Sequence, residues 1–493
     1  MEHTETTRTL PVRNPRTGEI DFHITPPTGE EIAATCRRLR EGQRRWSRRP
    51  LDERIKAMSA WAVEIQKNSA RIAEADGIDT GFSDTSRASP FIVALSIRGW
   101  CEDVKQILER AQITGASPVM PTVQVRSQLT PIPLLGVISP WNAPLMLSLM
   151  DAVPALLAGC AAIIKPSEVT PRFVGPIMET IRAVPELAEV LTYVVGDAQT
   201  GQQIIDNVDV VCFTGSVANG RKVGEACARR FIPAFLELGG KDPAIVTATA
   251  NLANAAKAVV RGSVYNTGQV CYSIERVYVD ENVHDAFVEQ LALECANVKL
   301  NYPDRNQGHI GPFISGRQAA IVDAHLDDAV AKGATIRVGG KSENLGGGLY
   351  MRPTVLTGVT HEMKIMQDET FGPVIPVMKY RTEDEAIRLA NDTTFGLSAA
   401  VISGDAAEAE RIAEQIDAGG ISVQDTFLTF AKLRKIGTHS FKESGLGGSR
   451  TGPDSIMRFL KKKAILTNTA PPASITDPPA GPPPGARAGG PPK

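Results

Sequence analysis

The sequence has 493 residues, which is too long for one simple hydrophobic core, so at least two packed domains are expected. Its 42% hydrophobic and 22% charged residues are typical of a soluble globular protein. A formal net charge of −2 argues against nucleic acid or an anionic membrane as the main partner. The composition therefore predicts a cytoplasmic enzyme that binds neither.

The cysteines favour the same compartment. There are seven, an odd number, and no two are spaced as CxxC: Cys36, Cys101, Cys160, Cys212, Cys227, Cys271 and Cys295. This pattern fits neither a disulfide framework nor a zinc site, so we expect a reducing environment and no metal. The N-terminal MEHTETTRTL has no apolar run and is not a secretory signal.

The first hundred residues are predicted to be helical, with helices over 30–46, 51–68 and 88–110. The first helix is rich in arginine, as a nucleic-acid patch would be. Its charges alternate with Ile32, Leu39 and Trp46 at helical spacing, which favours a solvated helix face instead.

Residues 143–164 are almost wholly apolar and long enough to span a bilayer. However, Asp151, Pro154 and Gly159 interrupt the run. A buried helix followed by a buried strand is therefore the better interpretation.

From Pro131 onward, β-branched runs alternate with helical segments, as in LLGVISP, CAAIIKP, LTYVVGD, VDVVCFTG and PAFLELGG. A second series follows Cys271: RVYVDE, a helix over 283–296, then ATIRVGG, TVLTGV, PVIPVMKY, AAVISGD and GGISVQD. Such alternation predicts parallel βαβ units in two successive α/β domains. Residues 470–493 are dense in Pro and Gly, which predicts disorder.

Two strand ends carry candidate nucleotide contacts. Gly215, Ser216 and Gly220 lie in a turn between VDVVCF and a helix predicted to start near Arg221, where backbone N–H groups and the helix dipole favour a phosphate. The spacing is not GxGxxG, and the residues alone equally describe a plain connection.

The second strand end is Lys165-Pro166-Ser167-Glu168. The Glu168 carboxylate is placed to accept hydrogen bonds from ribose hydroxyls and would repel a 2′-phosphate, which favours NAD over NADP. A surface turn opening a helix, capped by Ser167 or Thr170, is an equal alternative.

Three further residues suit catalysis. Glu237 ends an apolar strand before two glycines, and partial burial would adapt it to general-base work. Asn142 offers a side-chain amide at a strand end, a candidate oxyanion donor. Cys271 follows Asn266-Thr267-Gly268-Gln269-Val270, whose glycine lets the backbone approach a substrate, although a lone cysteine is usually a small buried hydrophobe.

Taken together, these segments resemble the aldehyde dehydrogenase superfamily over roughly residues 14–467. The motifs in order are PWN at Pro140, KPSE at Lys165, FTGS at Phe213, ELGGK at Glu237, GQVC at Gly268, ETFGP at Glu369 and NDTTFGLSA at Asn391. The 34-residue step from Glu237 to Cys271 also matches.

The resemblance implies an α/β fold with a Rossmann-type cofactor domain, an α/β catalytic domain and a small oligomerisation flap. The implied boundaries are 1–112 and 132–239 for the NAD-binding domain, 240–440 for the catalytic domain, and 113–131 with 455–468 for the oligomerisation segments. It also implies a homodimer or homotetramer. In QVRSQL and AILTNT, polar and apolar residues alternate, which is typical of exposed strands that can pair with a strand of another subunit.

It further implies roles for individual residues. Cys271 would attack the aldehyde carbon, Asn142 and the Cys271 backbone N–H would hold the oxyanion, and Glu237 would activate water to hydrolyse the thioester. The implied coenzyme contacts, to NAD with NADP as the alternative, are Trp141, Lys165, Glu168, Gly215, Ser216, Gly220, Glu369 and Phe371. Because coenzyme A-acylating members generally lack the carboxylate at Glu237, the free acid is the expected product.

The chain departs from the family pattern where the substrate enters. Ala143 and Met150 stand where relatives carry bulky aromatics, which predicts a wider tunnel unless Tyr272 or Phe427 fills it. Gly437-Thr438-His439-Ser440 replaces the usual PFGG, and Gln424 replaces an Asn.

We therefore expect a small-molecule aldehyde substrate that is aromatic or extended and apolar. The alternative is a carboxylated semialdehyde held by Lys432, Arg434 or Lys435. A coenzyme A-acylating enzyme, disfavoured by Glu237, and a catalytically silent family member are the remaining alternatives.

Overall fold

The computed structural model describes residues 8–428, 435–472 and 474–476. Most of the tail predicted to be disordered, 470–493, lies outside these residues, as do Lys432 and Arg434. Among the described residues, no helix combines the length and the apolar character needed to cross a membrane.

The N-terminal region is a β-hairpin followed by four helices. The hairpin pairs β1 (Leu10–Arg13) with β2 (Ile20–Ile24), and the helices are α1 (Gly29–Trp46), α2 (Leu51–Lys67), α3 (Ser69–Thr80) and α4 (Asp84–Arg110). A capping box starts α1, since the Thr28 hydroxyl accepts from the Glu31 N–H and the Glu31 carboxylate accepts from the Thr28 N–H. Its arginines 37, 38, 44 and 45 are exposed, while Ile32, Leu39 and Trp46 are buried.

The structure contains the three predicted helices, adds α3 and starts α4 earlier than predicted. The pattern did not indicate α3, because its buried face carries Asp76, Asp79 and Thr80 beside Ile72, which hides the apolar periodicity. Helix α4 begins four residues before the predicted position, because Ser83 caps it by accepting from the Ser86 N–H.

Two antiparallel strands, β3 (Thr114–Ala116) and β4 (Val123–Pro131), separate the helices from the first parallel sheet. That sheet and its helices comprise β5 (Leu134–Ile138), α5 (Pro144–Met150), α6 (Ala152–Ala158), β6 (Ala161–Lys165), α7 (Val174–Arg182), α8 (Pro185–Ala188), β7 (Leu191–Tyr193), α9 (Ala198–Ile205), β8 (Val210–Thr214), α10 (Val217–Arg229) and β9 (Ala234–Glu237). The five strands are parallel in the order β9-β8-β5-β6-β7. The apolar stretch 143–164 forms two short buried helices and one buried strand.

The second sheet follows at once. Its region comprises β10 (Asp242–Val246), α11 (Leu252–Val264), a 3-10 helix (Tyr265–Gly268), β11 (Ile274–Asp280), α12 (His284–Asn297), α13 (Gly316–Ala331), β12 (Thr335–Val338), β13 (Glu343–Leu345), β14 (Gly348–Tyr350), β15 (Thr354–Thr357), α14 (Lys364–Gln367), β16 (Val374–Tyr380), α15 (Glu383–Asn391), β17 (Phe395–Gly396), β18 (Ser398–Ile402), α16 (Ala406–Ala413) and β19 (Gly420–Val423). The sheet order is β12-β15-β16-β11-β10-β18-β19. It departs from the predicted series in two ways: β10 was not predicted, and β12 pairs antiparallel with β15.

The C-terminal segment returns to elements formed much earlier. After β20 (Phe441–Lys442), β21 (Gly445–Leu446) pairs antiparallel with β9, which sets Gly445 opposite Glu237. A 3-10 helix (Pro453–Phe459) then leads into β22 (Leu460–Asn468), which pairs along its whole length with β4. The segments predicted for oligomerisation thus form one three-stranded sheet in the order β22-β4-β3.

Candidate active site

The parallel strands of the first sheet bring most of the predicted residues to one edge. Strands β5, β6, β8 and β9 run in the same direction, so their carboxyl ends lie side by side. Asn142 follows β5, Lys165 ends β6, Thr214 ends β8 and Glu237 ends β9. This is the edge at which ligands bind in open α/β sheets.

Cys271 follows a backbone segment of unusual conformation. Asn266, Thr267 and Gly268 have φ values of 54°, 60° and 68°, in the left-handed region. Only glycine fits at 268, since a Cβ there would lie 2.2 Å from the carbonyl oxygen of Gly372. Non-glycine residues in this conformation are strained and persist where surrounding contacts hold them.

Buried side-chain amides supply those contacts. The Asn142 Nδ2 donates to the Gln269 carbonyl (2.9 Å), and the Asn266 Nδ2 donates to the Asn142 carbonyl (3.1 Å). The Gln269 Oε1 accepts from the Ile314 N–H (3.0 Å). Asn142 is therefore tied directly to the loop that carries Cys271. Sequence reasoning missed the positioning roles of Asn266 and Gln269, for which the only signal was two amides flanking a glycine.

Cys271 and Asn142 line a large apolar cavity. Its volume is about 400 Å³. Ala143 and Met150 both line it, as do Tyr272 and Phe427, the two aromatics considered as fillers. Apolar side chains dominate the rest of the wall, including Ile92, Val93, Trp100, Met146, Leu147, Leu149 and Val153.

A groove of about 260 Å³ reaches Cys271 from another side. The predicted coenzyme contacts among its lining residues are Trp141, Gly215, Ser216, Glu369 and Phe371. The rings of Trp141 and Phe371 meet edge to face with centroids 5.4 Å apart. Cys271 and Asn142 line both the apolar cavity and this groove, so two spaces meet at the thiol.

A buried ion pair anchors the Glu369–Phe371 side of the groove. The Glu275 carboxylate accepts from the Lys241 ammonium and from the backbone N–H groups of Thr370 and Phe371, each at 2.7 Å. Glu369 accepts from the Gly240 N–H at 3.0 Å, and burial raises the pKa of its carboxyl to about 8. No sequence pattern indicated a role for Glu275, which lies inside an apolar strand.

The glycine turn after β8 leads into α10 earlier than expected. The helix begins at Val217 rather than near Arg221, because the Ser216 side chain caps it by accepting from the Asn219 N–H at 3.4 Å. Gly220 lets the helix pack closely, since a Cβ there would lie 2.4 Å from a methyl carbon of Leu238. Ser216 and Gly215 line the groove at the positive end of the helix dipole.

Lys165 and Glu168 lie farther along the same edge, two strands from β8. The buried Lys165 ammonium donates to the Glu168 carboxylate at 3.2 Å and to the Pro166 carbonyl at 3.0 Å. The cation is thus neutralised by a carboxylate that is itself partly open to solvent.

Glu237 and Cys271 line a third space, which we call the small chamber. It has a volume of about 60 Å³ and is also lined by Tyr272, Ser440 and Arg450. The Ser440 hydroxyl donates to Glu237 Oε2 at 2.9 Å. Burial raises the pKa of the Glu237 carboxyl, and the Arg450 charge opposes this shift.

Cys271 is a high-pKa thiol in this arrangement. Withdrawal from solvent raises the pKa of its thiol, and the nearby carboxylates of Glu369, Asp242 and Glu237 raise it further. Formation of the thiolate therefore needs a base or a nearby cation, and the chamber contains Glu237 and Arg450. Arg450 was not predicted at this site, and Ser440 was named only in the segment at the substrate entrance, because each is far from Glu237 in the sequence.

Comparison with known proteins identifies the family. A model described as the aldehyde dehydrogenase family matches residues 2–465. A Mycolicibacterium smegmatis protein named as a succinate-semialdehyde dehydrogenase acting with NADP(+) is 34% identical, over 97% of this chain and 93% of its own. A 4,4′-diapolycopene aldehyde oxidase from Methylomonas is 35% identical, over 93% and 86%.

Solved structures agree. The aldehyde dehydrogenase PutA from Anabaena variabilis superposes with a TM-score of 0.92 at 47% identity, covering 95% of this chain and 99% of its own. Betaine aldehyde dehydrogenase from Staphylococcus aureus, in complex with NAD+, gives 0.88 at 30% identity, covering 94% and 92%. The predicted family is confirmed: the chain belongs to the aldehyde dehydrogenases, the oxidoreductases that oxidise the aldehyde group.

Proposed function

We propose that this enzyme oxidises an aromatic or extended apolar aldehyde to the free carboxylic acid, with Cys271 as nucleophile and NAD as coenzyme. The observation that carries the proposal is the apolar cavity of about 400 Å³ whose lining includes Cys271 and Asn142. A pocket of this size and lining buries most of a drug-sized apolar molecule.

The first step is addition to the aldehyde. The Cys271 sulfur bonds to the aldehyde carbon, the carbonyl electrons move to the oxygen, and the thiol proton passes to a base. Asn142 already donates one of its amide hydrogens to Gln269, which orients the other for the oxyanion together with the Cys271 backbone N–H. Removing such a donor by Asn142→Ala should lower kcat by about 10²–10³-fold.

The lining of the groove supports a coenzyme site for the nicotinamide end of a dinucleotide. Gly239 lines it, and a Cβ at that position would lie 2.7 Å from Glu369 Oε2, so the space beside Glu369 depends on glycine. Trp141, Gly215, Ser216, Gly220, Glu369 and Phe371 would hold the nicotinamide half and the pyrophosphate, with Lys165 and Glu168 at the adenosine ribose. The bound coenzyme supplies a hydride acceptor. Glu168 beside Lys165 favours NAD over NADP, because a 2′-phosphate would meet a carboxylate.

Glu237 then hydrolyses the acyl-enzyme. Burial raises the pKa of its carboxyl, which improves it as a base, and it lines the small chamber with Cys271. In an acyl transfer to coenzyme A the thioester must survive, so a base at this position favours the acid as product.

The test is Glu237→Gln, assayed by absorbance at 340 nm. We expect an initial burst of NADH close to one per active site, followed by turnover slowed by about 10²–10⁴-fold. Ser273→Ala, which changes a buried hydroxyl behind the loop, serves as the matched control and should keep steady turnover. A steady-state rate of Glu237→Gln equal to that of the wild type contradicts the assignment. The absence of any NADH formation by the wild type with a panel of aldehydes would favour the catalytically silent alternative.

The carboxylated semialdehyde is the second candidate, because several relatives are named for succinate semialdehyde. Among the described residues, however, the arginines that line the cavity already have carboxylate partners. Arg261 lies 3.7 Å from Asp425, and Arg450 lies 2.5 Å from Asp151. Lys435 is exposed. A panel of aliphatic, aromatic and carboxylated aldehydes, with NAD and with NADP, decides between the classes, since a kcat/KM highest for a carboxylated substrate would refute the apolar assignment.

We also propose the division into domains given by the sequence, and a cytoplasmic homodimer or homotetramer. Support for the oligomer comes from the sheet β22-β4-β3, in which most β22 side chains are exposed. Light scattering of the purified protein tests it, and a monomer at micromolar concentration would contradict it.

A further inference from the structure

A buried ion cluster lies beside the small chamber. The Asp151 carboxylate, 1% exposed, lies 2.5 Å from the Arg450 guanidinium and 2.7 Å from that of Arg458. Two cations against one carboxylate leave the cluster with one positive charge in excess. An uncompensated buried charge is costly, so it favours an anion nearby.

Arg450 is the member of the cluster that faces the reacting groups. Its Nε and Nη2 donate to Asp151, and Nη2 also donates to the Thr214 hydroxyl at 2.6 Å. Its Nη1 makes no hydrogen bond with any described residue, and the side chain lines both the apolar cavity and the small chamber. Arg458 instead packs its guanidinium over the rings of Phe235 and Phe459.

The carboxylate that shares the small chamber with Arg450 is Glu237. Arg450 is the strongest electrostatic influence that lowers the pKa of the Glu237 carboxyl, with smaller effects from the Ser440 hydrogen bond and Arg458, while Asp151 raises it. The other titratable groups that face Glu237 or line its chamber are Cys271, Tyr272, Cys212 and His439. Of these four, His439 is exposed and the others are neutral when protonated.

We propose that Arg450 is a positioning residue for hydrolysis: fixed by Asp151 and Thr214, its guanidinium stabilises the carboxylate form of Glu237 and so sets the pH range in which the thioester is cleaved. The inference rests on the proposed function of Glu237 as the hydrolytic base.

In this step the oxygen of water bonds to the acyl carbon, and a water proton passes to the Glu237 carboxylate. The C–S bond then breaks, its electron pair stays on Cys271 as a thiolate, and the acid leaves. The Arg450 charge acts on both ends of this exchange, since it also lowers the pKa of the Cys271 thiol. Removing it should reduce the fraction of Glu237 that is ionised at a given acidic pH, and should raise the pKa of the thiol that leaves.

The test compares Arg450→Gln with Arg458→Gln. Each variant leaves Asp151 with one arginine, so each converts the cluster to a neutral pair and neither leaves an unpaired buried charge. The readout is the pH profile of steady-state kcat with NAD and an apolar aldehyde, together with the burst amplitude at 340 nm.

We expect Arg450→Gln to move the acid limb of the profile up by about one pH unit and to lower kcat about tenfold on that limb, with the burst amplitude retained. Arg458→Gln should shift it much less. The opposite change, Asp151→Asn, removes the negative partner and should move the limb to lower pH, which keeps the test open if one variant does not fold. Equal shifts in the two arginine variants, or an unmoved limb in both Arg450→Gln and Asp151→Asn, overturn the inference. If the wild type hydrolyses its thioester but the acid limb is unmoved in the variants, this inference fails and the proposed function of Glu237 stands. If Glu237→Gln keeps the wild-type steady-state rate, the proposed function itself fails.

Discussion

The buried pair of Lys241 and Glu275 gives a prediction whose size follows from its geometry. The two side chains are 0% and 3% exposed and lie 2.7 Å apart, so Lys241→Met leaves a carboxylate buried without its cation. Breaking a pair in this way costs about 3–5 kcal/mol of the free energy of unfolding. The matched control is Lys341→Met, because the Lys341–Asp327 pair has the same 2.7 Å separation but is 54% and 63% exposed. Its loss should cost under about 1 kcal/mol.

The measurement is urea unfolding at pH 7 and fixed protein concentration, followed by tryptophan fluorescence. The double variant Lys241→Met with Glu275→Gln should recover part of the loss, since the uncompensated charge is then gone. Because Glu275 also holds the Phe371 N–H, the coenzyme KM should rise in Lys241→Met and not in Lys341→Met. If the two lysine variants lose equal stability, the reasoning from burial is refuted.

Three further predictions test other parts of the structure. Gly268→Ala should abolish the NADH burst, because the new Cβ would collide with the Gly372 carbonyl. The control is Gly175→Ala, at a helix position with open space, which should keep both activity and stability. An active Gly268→Ala would contradict this prediction. Burial raises the pKa of Asp76 to about 7 from its ordinary 3.8, so the folded state holds this proton more tightly than the unfolded state does. The free energy of unfolding is therefore higher at acid pH and falls as the pH rises to 7. The free energy of unfolding of Asp76→Asn, measured in urea, should therefore rise relative to that of the wild type by at most about 3 kcal/mol between pH 5 and 8. The same pH dependence in both proteins would refute this prediction. Met150→Trp, which narrows the apolar cavity, should lower kcat/KM about tenfold or more for long apolar aldehydes and spare ethanal; an equal loss for both argues against the cavity as the substrate site.

Local patterns were enough to predict much of the fold. The apolar runs that became β5, β6 and β8 are buried along nearly their whole length, so their composition marks them as strands of a covered parallel sheet. Helix α1 was predicted to within one residue for the same kind of reason, because its apolar residues recur at helical spacing. Where buried residues are polar, as in α3, the pattern fails.

The candidate site shows the same difference between features that local sequence indicates and features that it does not. The motifs around Cys271, Glu237 and Asn142 could be read from the sequence, because each is a short run next to a strand end. The contacts that orient these residues could not be read from the sequence. The partner of Asn142 is 127 residues away, that of Glu237 is 203 away, and Arg450 reaches back 299 residues to Asp151.

The residue types that carry the chemistry could be identified from local sequence, since propensity and hydrophobic period are properties of neighbouring residues. Three features required the folded chain: β21 returns to β9, Arg450 and Ser440 line the same chamber as Glu237, and a wide apolar cavity is lined by Cys271. These depend on how distant segments pack against one another, and no local pattern records such a contact.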